Sequence, residues 1–223
     1  MSTVALLIIP VALAILPSLL TLAFLSKIDF RKWVLVLLGG GGWFVALVAR
    51  LGIIAFISKT LKEYLIVGAI SSVLAGFFEE STRYFLIKYA VRERERWSFK
   101  HLASFGLGWG FIEAVTIYVS QALYIGIVLH VEWFNLIPGA IERNVAILFH
   151  VALTFLVAYI VRKEKSMLIL VPMTLHAISN IYAVVVFSFI RNPWLTEFFV
   201  SLVLIPVSVT IILATVPRRS ISS

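Results

Sequence analysis

Long apolar runs alternate with short charged ones along the whole chain. Seven apolar runs can be drawn, at about residues 3–25, 33–57, 65–90, 102–128, 144–161, 167–189 and 195–216. Each is close to the roughly 20 residues that a helix needs to cross a hydrocarbon core about 30 Å thick. None alternates over about ten residues as a barrel strand would. Lipid offers backbone groups no partner outside a helix or a closed barrel. The pattern therefore predicts an all-α, polytopic membrane helical bundle of about seven transmembrane helices. It reads as a single integral membrane domain over residues 1–223, with no soluble domain, internal repeat or low-complexity tail. The first run has no basic residue ahead of it and is long enough to cross the bilayer, so it reads as a span and not as a cleavable signal peptide.

Composition agrees, at 61% hydrophobic and 13% charged residues with a mean hydropathy of +1.06. A soluble domain carries about twice that charged share. The net charge of +8 does not imply nucleic acid, because cytoplasmic loops of membrane proteins collect Lys and Arg. Lys27, Arg31, Lys32, Arg92, Arg94, Arg96, Lys100, Arg162, Lys163, Lys165, Arg218 and Arg219 fall on one side; Lys59, Lys62, Arg143 and Arg191 fall on the other. That asymmetry predicts an N-out, C-in orientation. Residues 130–143, HVEWFNLIPGAIER, read as an interfacial or re-entrant piece joining the fourth and fifth spans. The absence of cysteine excludes disulfides, thiolate metal ligands and a cysteine nucleophile.

Against this apolar background stand a few polar residues deep inside spans. The third span has Glu79, Glu80 and Arg83, the fourth Glu113, the fifth His150, and the sixth His176 with Asn180 one turn later. Glu79, Glu113, His150 and His176 each lie 11 to 13 residues from the nearest cytoplasmic cation. At a rise of 1.5 Å per residue, that places all four roughly 16–20 Å from the cytoplasmic edge. A charge at the bilayer centre costs about 2.5–3.5 kcal/mol on insertion scales. Several at one level offset each other only by meeting, which predicts one shared polar site; separate packing pairs between helices are the plainer alternative. Glu79 and Arg83, four apart, share a face and are expected to pair, while Glu80 points about 100° further round. Pro172 is expected to bend the sixth span before His176. The glycines of GLGWG (106–110) predict a close helix approach, those of GGGG (39–42) ordinary small-residue packing. Arg50 is expected to snorkel or pair, without a role in the chemistry.

These residues carry a resemblance. EESTR (79–83) resembles the EExxR or EExxK motif of the intramembrane CAAX-type proteases. WGFIE (109–113) resembles the second motif of the PrsW branch, HAISN (176–180) resembles HxxxN, and His150 matches a further His on an intervening span. AGFFEESTRYFLIK, GLGWGFIEAV and ERNVAILFH are most similar to the YhfC family of membrane peptidases. The similarity covers about residues 65–185. The anterior pharynx-defective subunit of gamma-secretase, a non-catalytic relative in the same superfamily, is similar in layout, including DFRKW before the second span. It lacks the first Glu of the dyad and the Glu of the second motif, which stand here as Glu79 and Glu113. The CAAX branch spaces its Arg one residue further on and has His in place of Glu113, so prenylated substrates are not implied.

The resemblance implies a multi-pass membrane peptidase of a prokaryotic cell membrane, acting on membrane-embedded or lipid-anchored protein substrates. Its chemistry needs a base, a polarised carbonyl and an oxyanion donor. On this reading Glu79 activates water, held by His150 and Glu113. His176 and Asn180 stabilise the oxyanion, and Glu80 and Arg83 orient and charge-balance the site. The alternative is a metal, zinc first among candidates, on His150, His176 and Glu113, because three N/O ligands and a water form a common catalytic set. The rivals are a non-catalytic scaffold, like the gamma-secretase subunit, and a proton- or ion-coupled transporter. The inverted repeats common in transporters are not found.

Overall fold

A computed structural model describes residues 3–91 and 98–216. Arg92, Arg94, Arg96, Arg218 and Arg219, five of the cations behind the expected orientation, lie outside the described residues. Seven helices are long and apolar enough to cross a membrane: α1 Val4–Ser26, α2 Phe30–Thr60, α3 Tyr64–Ala90, α4 Phe99–Val128, α5 Trp133–Arg162, α6 Ser166–Ile190 and α7 Pro193–Thr215. They match the seven predicted runs. Large apolar side chains such as Phe24, Leu37, Phe56 and Leu213 cover the outer faces, as a bundle dissolved in lipid requires.

The starts of the helices follow local chemistry. Asp29 caps α2, its carboxylate accepting the Arg31 N–H at 3.1 Å, so one orphan donor of the first turn is satisfied. A hydrogen bond from Lys32 holds the Asp29 carboxyl below its usual range. Asn192 caps α7 by accepting from the Leu195 N–H at 3.1 Å, with Pro193 at the first helical position, where its missing N–H costs nothing. Pro172 falls in the first turn of the α-helical part of α6, Leu170–Ile190. It therefore helps start that helix, and the bend expected before His176 does not have its cause there.

One expectation is corrected at the start of α5. Residues 130–143 do not form a re-entrant piece. Trp133–Leu136 make a single 3-10 turn, and Ile137–Arg162 continue as one α-helix with Pro138 in its first turn. Arg143, expected in an outer loop, is thus two turns into a span.

Helix α5 is the centre of the bundle. Of its most apolar stretch 72% is buried, against 17–33% for the other six helices. It packs on α4, α7 and α1, whereas α2 packs on α4 and α3, and α3 packs on α6. Consecutive helices α5 and α6 scarcely touch. The polar residues project into the region where the α3–α6 pair faces α4 and α5.

The two glycine runs are halves of one contact. A Cβ on Gly39 would lie 2.1 Å from the Phe105 carbonyl oxygen, and one on Gly108 would lie 2.2 Å from that of Val36. Close approach, expected only of the second run, belongs equally to the first. Gly108→Ala is expected to destabilise the protein by about 1–3 kcal/mol, because backbone cannot yield as a side chain can. Gly41, where a Cβ would meet nothing within 4 Å, provides the control. Thermal unfolding in detergent should show a lower midpoint for Gly108→Ala and an unchanged one for Gly41→Ala. At Gly76 a Cβ would lie 2.5 Å from the Met173 oxygen; this close approach of α3 to α6 sets Glu80 against His176.

Two helices change winding beside the acidic motifs. α3 passes into a π-helical segment at Leu86–Ala90, just after Arg83. α4 does so at Ala114–Val119, immediately after Glu113. Such wider turns re-aim the residues around them and often accompany functional sites.

Candidate active site

The ionisable residues of five helices form one connected cluster. Glu79, Glu80 and Arg83 on α3, His150 on α5, His176 on α6 and Arg50 on α2 are all buried. Glu113 on α4 stands beside them. Its carboxylate and those of Glu79 and Glu80 each have a guanidinium beside them, from Arg143, Arg50 and Arg83, with Arg143 shared with Glu142, so the formal charges largely cancel. That cancellation spares the bundle the cost of isolated charges in lipid.

Arg83 is the hub. Its Nη1 donates to both Glu80 oxygens at 2.7 Å, and its Nη2 donates to His150 Nδ1 at 3.0 Å. Its guanidinium also lies 4.4 Å from the centre of the Trp109 ring, a cation–π contact. A guanidinium can only donate, so His150 Nδ1 accepts and Nε2 bears the ring proton. That Nε2 lies 2.6 Å from Glu113 Oε2. The two groups are in ion-pair contact. Glu113 Oε1 accepts from Arg143 Nη1 at 2.9 Å.

Glu80 also receives His176 Nδ1 at 2.8 Å. The ionised carboxylate only accepts, so Nδ1 carries a proton, and in the neutral ring Nε2 keeps its lone pair. A carboxylate behind an imidazole in this way fixes the tautomer and orientation that a metal ligand needs. Glu79 accepts from Arg50 Nη1 at 2.6 Å and from Trp109 Nε1 at 3.0 Å. The two imidazole rings lie 5.3 Å apart, centre to centre.

The geometry corrects several pairings expected from sequence. Arg83 pairs with Glu80 and not with Glu79. The partner of Glu79 is Arg50, so of the two alternatives expected for it, to snorkel or to pair, the structure shows pairing, with its side chain buried against the site. Glu80, about 100° round the helix from Glu79, sits at the middle of the cluster against Arg83 and His176. Asn180, one turn beyond His176, is half-buried and makes no side-chain hydrogen bond among the described residues.

Arg50, Trp109 and Arg143 carry the cluster, yet the sequence reading gives Arg50 no role in the chemistry and Trp109 and Arg143 no part in the site. Arg143 left a signal: it precedes His150 by seven residues, two helical turns, and so shares its face. An arginine within a span was the signal at Arg50, but nothing in sequence named its partner.

Among the described residues, the group able to hold a cation is Glu79, His150 and His176, with one ligand atom from each and all of these within 4.8 Å of one another. Bond lengths of about 2.0–2.2 Å at tetrahedral angles bring ligand atoms to roughly 3.4 Å, so a modest closure completes the set. Two imidazoles and a carboxylate suit zinc by donor type. His176 Nε2 has its lone pair free, and the Glu79 oxygens keep unused lone pairs. His150 joins only at the nitrogen that releases its present neighbour, Arg83 or Glu113. The carboxylate of this group is Glu79 and not Glu113, the one expected from sequence, which instead lies between His150 and Arg143.

Comparison with known proteins bears on the same region. A family model described as YhfC intramembrane metalloprotease matches residues 127–200, which contain His150, His176 and Asn180 but neither Glu79 nor Glu113. The uncharacterized membrane protein YhfC of Bacillus subtilis (strain 168) is 26% identical over 155 residues, covering 56% of this chain and 59% of that protein. The chain thus spans somewhat under two thirds of the length of that curated relative. No solved structure matches. Over residues 127–200, the stretch that supplies both imidazoles of the cluster, the chain is similar to the YhfC intramembrane metalloproteases.

Proposed function

We propose that the chain is an intramembrane endopeptidase that hydrolyses peptide bonds of membrane-embedded or lipid-anchored proteins. The observation that carries this reading is the meeting of Glu79, His150 and His176 from three helices inside a bilayer-spanning bundle. The similarity to a metalloprotease family supports a divalent cation on those three residues. Such a cation, zinc by its donor set, would polarise the scissile carbonyl and offset the charge that develops on its oxygen.

The other roles fall to this chain's own groups. Glu113, beside both His150 and Arg143, takes the proton of the attacking water as its oxygen bonds to the carbonyl carbon. It then passes that proton to the amine nitrogen as the C–N bond breaks. Arg143 balances the Glu113 charge and holds the carboxylate in place for both transfers. Glu80 orients His176, and Arg83 ties Glu80 to His150. Arg50 and Trp109 hold the Glu79 carboxylate. The Asn180 amide, one turn along α6, is left for the substrate carbonyl oxygen. The cytoplasmic side would be that of Lys27, Lys100 and Lys163, in the cell membrane of a prokaryote, as for the Bacillus subtilis relative.

Purified protein incubated with a library of membrane-spanning peptides is expected to yield defined products. 1,10-Phenanthroline should stop cleavage, and added zinc should restore it. Cleavage that persists after exhaustive chelation would remove the cation from the mechanism, and no cleavage of any peptide would count against the peptidase reading.

A further inference from the structure

A hydrolase buried in lipid must be supplied with water, and the cluster itself is closed. Side-chain exposure falls steadily along one path of ion pairs and hydrogen bonds: 31% at Glu142, 16% at Arg143, 14% at Glu113, 4% at His150 and none at Arg83 or Glu80. The outer end of that path lies in a cavity of about 230 Å³ between the second half of α4 and the start of α5. The volume corresponds to roughly eight waters at about 30 Å³ each.

The lining suits water. Glu142 and Arg143, ion-paired to each other, line it. The amides of Gln121 and Asn135 also line it and make no side-chain hydrogen bond among the described residues. Each offers a donor and an acceptor to an ordered water. Tyr118 secures one wall, its hydroxyl donating to the Leu136 carbonyl at 2.7 Å. Arg143 lies in the cavity and reaches Glu113 Oε1 at 2.9 Å, so a single side chain joins the cavity to the site.

We propose that this cavity is the aqueous inlet of the site, from which water passes along Arg143 to Glu113 and His150. It lies between the second half of α4 and the start of α5, at the end of α4 opposite Lys100. The role given to Glu113 rests on the peptidase reading; the inlet itself does not.

The native chain has no cysteine, so single cysteines report cleanly. Ile117 lines the cavity, whereas Leu123 faces outward on the same helix at 40% exposure. Full-length protein is reconstituted in phosphatidylcholine vesicles, and a charged, membrane-impermeant methanethiosulfonate is added to each side in turn. Ile117→Cys is expected to react at least ~10-fold faster than Leu123→Cys, and from one side only. The attached group should lower cleavage of a membrane peptide ~10-fold or more. Should Ile117→Cys fail to fold, Gln121→Cys takes its place. Equal rates for the cavity and lipid-facing cysteines would overturn the inlet, as would full cleavage after complete modification. A fast, one-sided reaction in protein that never cleaves would count against the peptidase and leave the inlet standing.

Discussion

Glu79→Gln is expected to lower peptide cleavage at least ~100-fold while the protein remains folded. Changing even a residue behind a metal ligand costs about 10–100-fold in affinity or activity, and Glu79 is the carboxylate of the group itself. The substitution keeps shape and acceptor. The Gln oxygen can still receive Arg50 Nη1, 2.6 Å from the carboxylate in the native chain, or Trp109 Nε1, 3.0 Å away. What it loses is the negative charge. Stability should fall by about 3 kcal/mol, the low end for a buried pair that loses one charge, because the Gln oxygen still receives a donor. Steady-state cleavage and thermal unfolding of the same preparation check both halves. Cleavage unchanged by the substitution would remove Glu79 from the chemistry.

Arg83→Met should produce the largest loss of stability of any single substitution in the cluster. Methionine fills the volume but leaves the Glu80 carboxylate, fully buried, with only His176, and His150 Nδ1 with no donor. Breaking a buried ion pair by removing one partner costs about 3–5 kcal/mol. Arg83→Lys should recover only part of this, because an ammonium is a point charge and cannot span Glu80 and His150 as a planar fork does. The double variant Arg83→Met, Glu80→Gln removes both charges. It should be more stable than the sum of the single losses, by about 0.5–3 kcal/mol of coupling. Strict additivity of the two losses would show that Arg83 and Glu80 do not act as a pair.

The contrast between these two substitutions shows what was legible in the sequence. The helices were, because spans must be apolar over about 20 residues and nothing else in the chain is. The gathering of Glu79, Glu113, His150 and His176 was legible too, through their shared depth. Pairing was not. Helical spacing favoured Glu79 as the partner of Arg83, whereas the rotation of α3 against α6, fixed where Gly76 meets the Met173 carbonyl, gives it Glu80. Arg50 could not be joined to Glu79, 29 residues away, because helix rotation about its own axis leaves little trace in a span that is apolar all round. The start of α5 was missed because Pro138 and Gly139 read as loop residues, although Pro suits a first helical turn. Arg143 was misplaced with it, and so was the polar path that it completes.

The claim on which the rest depends is that Glu79, His150 and His176 act as one ligand group. Metal content of protein purified without chelators and without added metal, measured per chain for the native sequence and for His176→Ala, tests it directly. About one transition-metal ion per chain in the native protein, lost together with cleavage in His176→Ala, is the expected result. A native protein that cleaves peptides while carrying no metal, or a variant that retains the full complement, would contradict it.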